Sequence, residues 1–325
     1  MRALVLEDLK KTRIVDLPKP VCGPDEVLLE VINCSVCRSD AKMWLQGHRD
    51  LVFPRTLGHE ICGRQVDTGE RFVVWPAKKC GVCDYCLRGK ENLCEKIEVI
   101  GFNREGGFAQ FIKVPKESLL KVPDDLPSEV ACMTELLASA INALEQVSLK
   151  ENQSVLIYGG GPAGLLLGLA CKEFKANPTI IEVNRHKLSR IREFCEKAKI
   201  ELNPVSLNRF DVVVNAAPDP EIFLKAIPKI RSSGFFCIFS GFMCEKNFST
   251  NLLNEVHYRQ LMVTGAYGNT IAQMQTALKV FQKNVALARL LIDRQILLDE
   301  VAEVFVDILS GKALKFVVNV EEKSV

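Results

Sequence analysis

The stretch Val155-Leu156-Ile157-Tyr158-Gly159-Gly160-Gly161-Pro162-Ala163-Gly164 decides the fold of the central part of the chain. Its apolar residues predict a buried strand that runs directly into a glycine-rich turn and a helix. Gly159, Gly161 and Gly164 fit the spacing G-x-G-x-x-G. In that pattern the first glycine allows a tight turn, the second lets backbone approach a pyrophosphate, and the third lets helix pack on strand. Because a helix N-terminus offers free N–H groups to phosphates, the stretch predicts a dinucleotide site.

An acidic residue at the end of the next predicted strand supports that site. Glu182 lies eighteen residues after Gly164, where a carboxylate binds the ribose diol of NAD and repels the 2′-phosphate of NADP. We therefore expect NAD to be preferred, with NADP as the alternative. Arg185 and Lys187 follow closely and would soften this preference, and Lys187 is itself a candidate cofactor-binding residue. The other interpretation of Glu182 is an exposed carboxylate at a strand end.

Strands and helices alternate around this stretch. From about residue 128 the alternation predicts an α/β fold with a doubly wound parallel sheet. Residues 1–125 instead contain short apolar runs broken by Gly and Pro, which predict a β-rich region. The predicted elements are helices at 128–147, with Ser128 as N-cap, 162–174, 185–197 and 221–230, strands at 154–158, 179–183, 212–216, 235–240 and 262–266, and a mostly helical tail from 271 with a final strand at 316–320.

The composition is that of an ordinary globular protein, with 325 residues of which 48% are hydrophobic and 25% charged. The 42 Lys and Arg against 40 Asp and Glu leave no clustered basic excess for nucleic acid. The first residues meet a charge too early for a signal peptide, and no apolar stretch approaches the ~20 residues of a membrane span. We therefore expect a soluble, cytoplasmic protein without a nucleic-acid or membrane partner.

Four of the thirteen cysteines, Cys80, Cys83, Cys86 and Cys94, lie within fifteen residues. An odd number of cysteines without a secretory signal argues against a disulfide framework. Spacings of two, two and seven residues suit four thiolates around one tetrahedral zinc, and the filled coordination shell predicts a structural site. An iron–sulfur cluster fits less well because the fourth spacing differs from the ferredoxin run, and a nucleic-acid-binding zinc ribbon lacks its basic excess. Most of the dispersed cysteines are expected in the core.

A second group of metal-binding residue types lies in the β-rich region, in Cys37-Arg38-Ser39-Asp40 and Gly58-His59-Glu60. Alone, one thiol and one imidazole are equally well explained as buried core side chains. The order of these two motifs, the four-cysteine lobe, Glu105-Gly106-Gly107-Phe108-Ala109 and the glycine-rich loop resembles the zinc-dependent medium-chain dehydrogenase/reductase family, in its alcohol and sorbitol-type polyol dehydrogenase branch. The resemblance extends over essentially the whole chain.

The resemblance implies a catalytic zinc in addition to the structural one. Cys37 and His59 match its first two ligands, and Glu60 matches the adjacent carboxylate that approaches or leaves the metal. The third firm ligand is a Cys in many alcohol dehydrogenases and a Glu in sorbitol-type enzymes. Glu135 is the candidate here, because its segment matches the sorbitol-type pattern except that Leu136 replaces a Pro, and Cys132 is the alternative.

Other site residues follow from the same resemblance. Ser39 matches the hydroxyl that takes the substrate proton, and Arg38 matches a position that holds the cofactor pyrophosphate in several alcohol dehydrogenases. Lys42 stands where the family carries a His linked to outward proton transfer, so the relay beyond Ser39 is undefined. The segment between residues 63 and 76 also looks shorter than usual. Phe102, Phe108 and Tyr267 are candidates for the pocket lining.

The resemblance also implies the domain organisation and the reaction. We expect a GroES-like, partly open β-barrel catalytic domain with the zinc lobe over residues 1–138, a Rossmann cofactor domain over 139–270, and a return to the catalytic domain over 271–325. The implied reaction is the reversible oxidation of a small secondary alcohol, with polyols or sugar-derived alcohols favoured, by NAD. The alternatives are a zinc-free, NADPH-dependent quinone or enone reductase and a non-catalytic binding protein. Edge-strand pairing through 235–240 or 262–266 would give a homodimer or homotetramer.

Overall fold

The computed structural model describes residues 1–205, 209–242 and 244–321 and divides the chain into two compact units. Unit 1 consists of Met1–Glu135 and Asn269–Val325, and unit 2 consists of Leu136–Gly268. The boundaries between the units fall after residues 135 and 268, three and two residues before the boundaries that we expected after residues 138 and 270.

The described residues form the following elements. The strands are β1 (Arg2–Asp8), β2 (Lys11–Asp16), β3 (Glu26–Ser35), β4 (Arg55–Thr56), β5 (Glu60–Gln65), β6 (Arg71–Val74), β7 (Ala77–Lys78), β8 (Glu98–Val99), β9 (Phe111–Pro115), β10 (Leu119–Lys121), β11 (Ser154–Tyr158), β12 (Asn177–Ile181), β13 (Glu201–Leu202), β14 (Phe210–Asn215), β15 (Ile230–Ile238), β16 (Met262–Gly265), β17 (Ile292–Ile296) and β18 (Lys315–Asn319). The helices are α1 (Arg38–Gln46), α2 (Asp84–Leu87), α3 (Ser128–Ala131), α4 (Thr134–Gln146), α5 (Pro162–Glu173), α6 (Arg185–Lys197), α7 (Glu221–Ala226), α8 (Thr250–Tyr258), α9 (Ile271–Lys283), α10 (Val285–Arg289) and α11 (Val301–Ser310), with 3₁₀ turns at Glu91–Leu93, Lys116–Ser118, Ile227–Lys229 and Leu298–Glu300. None of the helices in the described ranges combines the length and the apolar character needed to cross a membrane.

Unit 2 is built on a six-stranded sheet in the order β13-β12-β11-β14-β15-β16, in which all pairs are parallel. The chain leaves β11 first toward β12 and then crosses to β14 on the other side, so the doubly wound topology is confirmed. Val155, Leu156 and Ile157 in β11 are fully buried, as are most residues of α5. Each buried aliphatic side chain stabilises the fold by about 1.5–3 kcal/mol, which explains why this apolar run forms the centre of the sheet.

Unit 1 contains the β-rich region that the sequence predicted. Its largest sheet runs in the order β10-β6-β5-β3-β18-β17, with β9 also paired to β3, and two smaller sheets are β2-β1-β4 and β7-β8. β18 pairs antiparallel with β3 and parallel with β17. The C-terminal part of the chain therefore completes a sheet that begins in the N-terminal part.

Several element predictions need correction. The predicted helix 128–147 is two helices, α3 and α4, and the N-cap of α3 is Pro127, whereas Ser128 Oγ accepts a hydrogen bond from Arg71 at 3.1 Å. β17 lies in the tail that was predicted to be mostly helical. The sequence also did not indicate α1, because a carboxylate, Asp40, is among the buried residues of this helix and weakens its apolar periodicity.

Candidate functional site

Cys37 lies at the start of α1, as its N-cap residue, shortly after β3. Its N–H donates to Asp40 Oδ2 at 2.9 Å, so the carboxylate satisfies a backbone donor at the helix start. Asp40 is fully buried, and its other oxygen accepts a hydrogen bond from the Gly58 N–H at 3.2 Å. One carboxylate therefore joins the start of α1 to the turn that precedes β5.

The same oxygen of Asp40 lies 3.1 Å from Nδ1 of His59. A carboxylate on one imidazole nitrogen fixes the orientation of the ring and leaves metal binding to the other nitrogen, Nε2, an arrangement that recurs at protein metal sites. Burial is the largest influence on His59 and opposes its protonation, but the charge and hydrogen bond of Asp40 together with those of Cys37 outweigh burial and hold the pKa of this imidazole well above its ordinary value. A metal at Nε2 would therefore compete with a proton for the same nitrogen.

The structure brings together three of the residues that the sequence singled out. One ligand atom each from Cys37, His59 and Glu60 lie within 4.8 Å of one another. Sulfur, imidazole nitrogen and carboxylate oxygen are the donor types that zinc takes in proteins, so this donor set fits zinc. Ser39 Oγ lies 3.2 Å from His59 Nε2, which places its hydroxyl directly beside the group.

Glu60 is fully buried, and both of its carboxylate oxygens have donors. Lys315 Nζ lies 2.6 Å from Oε1, and the Ser35 hydroxyl donates to Oε2. Burial is the largest influence on Lys315 and opposes its charge, but the charge and hydrogen bond of Glu60 together with the charges of Cys37 and Asp40 outweigh burial and raise the pKa of the amine. Sequence reasoning gave no role to Lys315, which no motif marks, or to Asp40, which its place in the Cys-x-Ser-Asp motif could have indicated.

The two candidates for a third ligand have other contacts. Glu135 is 9% exposed, and its Oε1 accepts a hydrogen bond from Asn269 Nδ2 at 2.7 Å. Cys132 is buried, its Sγ lies 3.3 Å from the carbonyl oxygen of Glu129, and burial raises the pKa of its thiol well above the ordinary value. Over the described part of the chain, neither joins the close group that contains Cys37.

The four cysteines of the lobe form a second metal-binding group. Their sulfur atoms all lie within 4.8 Å of one another, and α2 begins directly after Cys83. Backbone N–H groups of Val82 and Cys83 lower the pKa of the Cys80 thiol to about 6, whereas burial raises the pKa of Cys86 to about 12. Four thiolates at this separation fit one tetrahedral zinc with no open position.

In unit 2 the glycine-rich loop follows β11. Gly159 has φ +113°, a conformation that residues with a Cβ rarely adopt. A Cβ on Gly164 would lie 1.8 Å from the carbonyl oxygen of Gly159, so α5 packs directly on the loop backbone. In contrast, among the described residues nothing lies within 4 Å of the Cβ position of Gly161, the N-cap of α5. Open space before a helix N-terminus fits a pyrophosphate.

Glu182 follows β12 directly, and Tyr158 at the end of β11 is in register with Ile181. Glu182 is 6% exposed, and its carboxylate accepts hydrogen bonds from the N–H groups of Gly160 at 3.0 Å and Asn184 at 2.8 Å. Lys187 Nζ lies 3.8 Å from Oε2 of Glu182. The structure therefore brings Glu182 and Lys187 together beside the loop, with the carboxylate already bound to backbone donors.

Two basic residues follow Cys37 on α1. Arg38 donates to the carbonyl oxygens of Ile308 and Leu309 at 3.1 and 3.2 Å, and its buried Nε has no hydrogen-bond partner among the described residues. Burial and the Arg38 charge lower the pKa of Lys42. The guanidinium of Arg38 is therefore held against the carbonyl oxygens near the end of α11.

The three predicted lining residues have different surroundings. The Phe102 ring lies 5.6 Å from the His59 ring, next to the metal-binding group. Phe108 is fully buried in the core of unit 1, so its prediction as a lining residue is wrong. Tyr267 belongs to unit 2 and is 49% exposed.

Comparisons with known proteins identify dehydrogenases as similar to this chain. The alcohol dehydrogenase GroES-like domain matches residues 23–124. An uncharacterized zinc-type alcohol dehydrogenase-like protein of Haemophilus influenzae is 32% identical over 216 residues, which are 63% of this chain and 62% of that protein, so the match spans less than two thirds of the relative. Sorbitol dehydrogenase of Bacillus subtilis is 28% identical over 264 residues, which are 73% of this chain and 74% of that enzyme.

A solved structure extends the likeness to both units. A short chain alcohol dehydrogenase from Escherichia coli CFT073, complexed with NADH, has a TM-score of 0.88 at 22% identity, with 98% of this chain and 99% of that chain covered. At this identity the likeness concerns the fold. The domain match and the dehydrogenase relatives support the resemblance to the zinc-dependent medium-chain dehydrogenase/reductase family, and the fold agrees with it.

Proposed function

We propose that the protein is a zinc-dependent dehydrogenase that transfers hydride between a secondary alcohol and NAD. The observation that carries the proposal is the group of Cys37, His59 and Glu60, whose ligand atoms lie within 4.8 Å of one another beside the Ser39 hydroxyl. The fold alone does not require a thiol, an imidazole and a carboxylate to lie this close together.

Cys37 and His59 would hold the catalytic zinc, with Glu60 beside it and Glu135 proposed as the third firm ligand. The four-cysteine lobe would hold a structural zinc, because its four thiolates fill a tetrahedral shell. A zinc bound to the catalytic group supplies Lewis-acid chemistry, which lowers the pKa of an alcohol hydroxyl. Asp40 orients His59 for that task through the contact at Nδ1.

The alcohol must lose its hydroxyl proton for hydride to leave its carbon readily. We assign acceptance of this proton to Ser39, whose Oγ lies 3.2 Å from His59 Nε2. A hydroxyl both accepts and donates a proton, so Ser39 passes the proton on as it takes one. Lys42, three residues further on α1, replaces the family's His at the next position of the relay.

Unit 2 would bind NAD at the glycine-rich loop, and NAD would supply the hydride acceptor. The open space at Gly161 supports a pyrophosphate there. Glu182 supports NAD over NADP because its buried carboxylate would repel a 2′-phosphate. Lys187, 3.8 Å from Glu182, would bind the same ribose. Arg38 is proposed as a pyrophosphate-binding residue on the family resemblance alone.

We infer that the substrate is a polyol or a sugar-derived alcohol. Glu135 at the sorbitol-type position and the similarity to sorbitol dehydrogenase support this substrate class.

All thirteen cysteines are free thiols in the structure, which suits a reducing compartment, and we place the enzyme in the cytoplasm.

We also propose that two or four chains assemble through β16. Of the two candidate segments, β15 lies inside the sheet, whereas β16 is its edge strand and exposes Met262 and Val263 by 39% and 44%. An edge strand with apolar side chains needs a cover, and a second copy of the same strand provides one.

Metal analysis combined with an alcohol and polyol panel tests the proposed activity. We expect about two zinc ions per chain and reduction of NAD in preference to NADP. One zinc per chain would leave only the structural site and favour a non-catalytic protein, and none with NADPH oxidation would favour a zinc-free quinone or enone reductase. Because enzymes of this type need the metal to polarise the alcohol, Cys37→Ser should lose one zinc and most of its turnover.

The third ligand is tested by a matched pair of variants. Glu135→Ala should behave like Cys37→Ser, whereas Cys132→Ser should keep both zinc ions and its turnover. The reverse result would move the third ligand to Cys132 and remove the argument for a polyol substrate.

A further inference from the structure

Asn203 has no role in the reaction proposed above, yet it makes three hydrogen bonds to the segment that carries Glu182. Its N–H donates to the carbonyl oxygen of Ile180 at 2.9 Å. Its side-chain Oδ1 accepts a hydrogen bond from the Glu182 N–H at 2.8 Å, and its Nδ2 donates to the Glu182 carbonyl oxygen at 2.7 Å. One side-chain amide therefore binds both backbone groups of Glu182.

These contacts extend the pairing of β12 with the edge strand β13. β13 ends at Leu202, which is in register with Ile180. In a continued parallel ladder, the next carbonyl and N–H groups of the edge strand would bind Glu182. The chain instead turns at Asn203, which has a left-handed φ of +46°, and the side-chain amide takes the place of these two backbone groups. Asparagine suits the position because it tolerates this conformation and carries both an acceptor and a donor.

The glycine-rich loop binds the same segment from the other side. The loop follows β11, which lies on the opposite side of β12 from β13. Gly159 N–H donates to the Ile181 carbonyl oxygen at 2.8 Å, and Gly160 N–H donates to Glu182 Oε2 at 3.0 Å. Asn203 and the loop therefore hold Glu182 between them, Asn203 through its backbone and the loop through its carboxylate.

We propose that Asn203 is a positioning residue that sets the choice between NAD and NADP by fixing the backbone of Glu182. The inference rests on the proposed cofactor site, in which the Glu182 carboxylate binds the ribose diol and repels a 2′-phosphate. Such repulsion discriminates only while the carboxylate stays in place, because a carboxylate that can move away from the phosphate removes the unfavourable contact. Asn203 thus acts on the cofactor through Glu182 alone.

The Kd values of NADH and NADPH, measured by fluorescence titration, provide the readout. Asn203→Gly removes both side-chain hydrogen bonds and allows the left-handed φ. We expect the Kd for NADPH divided by the Kd for NADH to fall about three- to tenfold, because two hydrogen bonds that water partly replaces are lost.

Thr179→Val is the matched control, because it also removes a hydrogen bond between β12 and β13. Thr179 Oγ1 donates to Glu201 Oε2 at 3.1 Å, at the end of the strand pair away from Glu182. This variant should lower the melting temperature and keep the wild-type ratio of the two Kd values. An equal shift of the ratio in Thr179→Val would mean that any loosening of the strand pair is sufficient, and it overturns the proposal.

A double variant shows whether Asn203 acts through Glu182. Glu182→Ala/Asn203→Gly should have the same Kd ratio as Glu182→Ala, and a further change overturns the proposal, as does an unchanged ratio in Asn203→Gly. If Asn203→Gly does not fold, Asn203→Ala decides by the same ratio. Wild-type protein that binds no NADH, or that prefers NADPH, overturns the proposed NAD site itself, whereas a wild-type preference for NADH with no variant effect overturns only the role of Asn203.

Discussion

Two alanine substitutions in the glycine-rich loop should separate cofactor binding from stability. A Cβ on Gly164 would lie 1.8 Å from the Gly159 carbonyl oxygen, whereas real Cβ contacts essentially never fall below 3.0 Å. α5 would have to move by roughly 1 Å, and such overpacking costs about 1–3 kcal/mol of unfolding free energy. For a unit of this size we expect Gly164→Ala to lower the melting temperature by roughly 3–10 °C.

Gly161→Ala is the matched control, because its Cβ would meet nothing within 4 Å among the described residues and its φ of −74° is allowed for alanine. We expect the melting temperature to change by no more than about 2 °C, since only the N-cap preference is altered. The added methyl group would occupy the space proposed for the pyrophosphate, so the Kd for NADH should rise at least about tenfold.

Calorimetry gives the two melting temperatures, and titration of NADH fluorescence gives the two Kd values. Wild-type affinity in Gly161→Ala would show that no pyrophosphate approaches this glycine. A wild-type melting temperature in Gly164→Ala would show that α5 does not pack on the loop as described.

Three other predictions test the remaining sites. Cys94→Ser should lose one zinc and melt at a lower temperature, because a closed thiolate site contributes folding free energy; unchanged zinc content by elemental analysis would contradict the structural site. Glu182→Ala should weaken NAD binding and relax discrimination against NADP in initial-rate assays, and a wild-type preference for NADP would instead make Arg185 the determinant. Val263→Asp should turn a dimer or tetramer into monomers in light scattering, and a wild-type monomer at micromolar concentration would remove the assembly through β16.

The cofactor loop and its neighbourhood could be predicted from the sequence because their information is local. The predicted strand 154–158 and helix 185–197 coincide with β11 and α6. A contiguous run of apolar residues, glycines and helix formers encodes each of these elements. Prediction was less accurate for β15, which begins at Ile230, because its first residues after Ile230 are polar and exposed and hide the strand.

The metal-binding group could be predicted only in part, because one of its contacts joins residues that lie far apart in the chain. Motifs marked Cys37 and His59, but the partner of Glu60 lies 255 residues away, and only the register of β18 against β3 brings it there. A single lysine in an ordinary strand carries no local signal of such a contact. Buried polar partners of site residues are therefore the part of a site that sequence motifs leave out.

The position of β18 in the sheet also has a consequence for biosynthesis. Unit 2 is one continuous segment, whereas the sheet of unit 1 lacks the strand between β3 and β17 until residues well past unit 2 have been made. Because domains generally fold as units during synthesis, the ribosome would release a finished unit 2 while β3 still exposes an unpaired edge and Glu60 still lacks its cation. Unit 1 would thus spend part of translation as an open intermediate, and a nascent-chain complex stalled before residue 315 should be sensitive to proteases in the β3 region and resistant in unit 2.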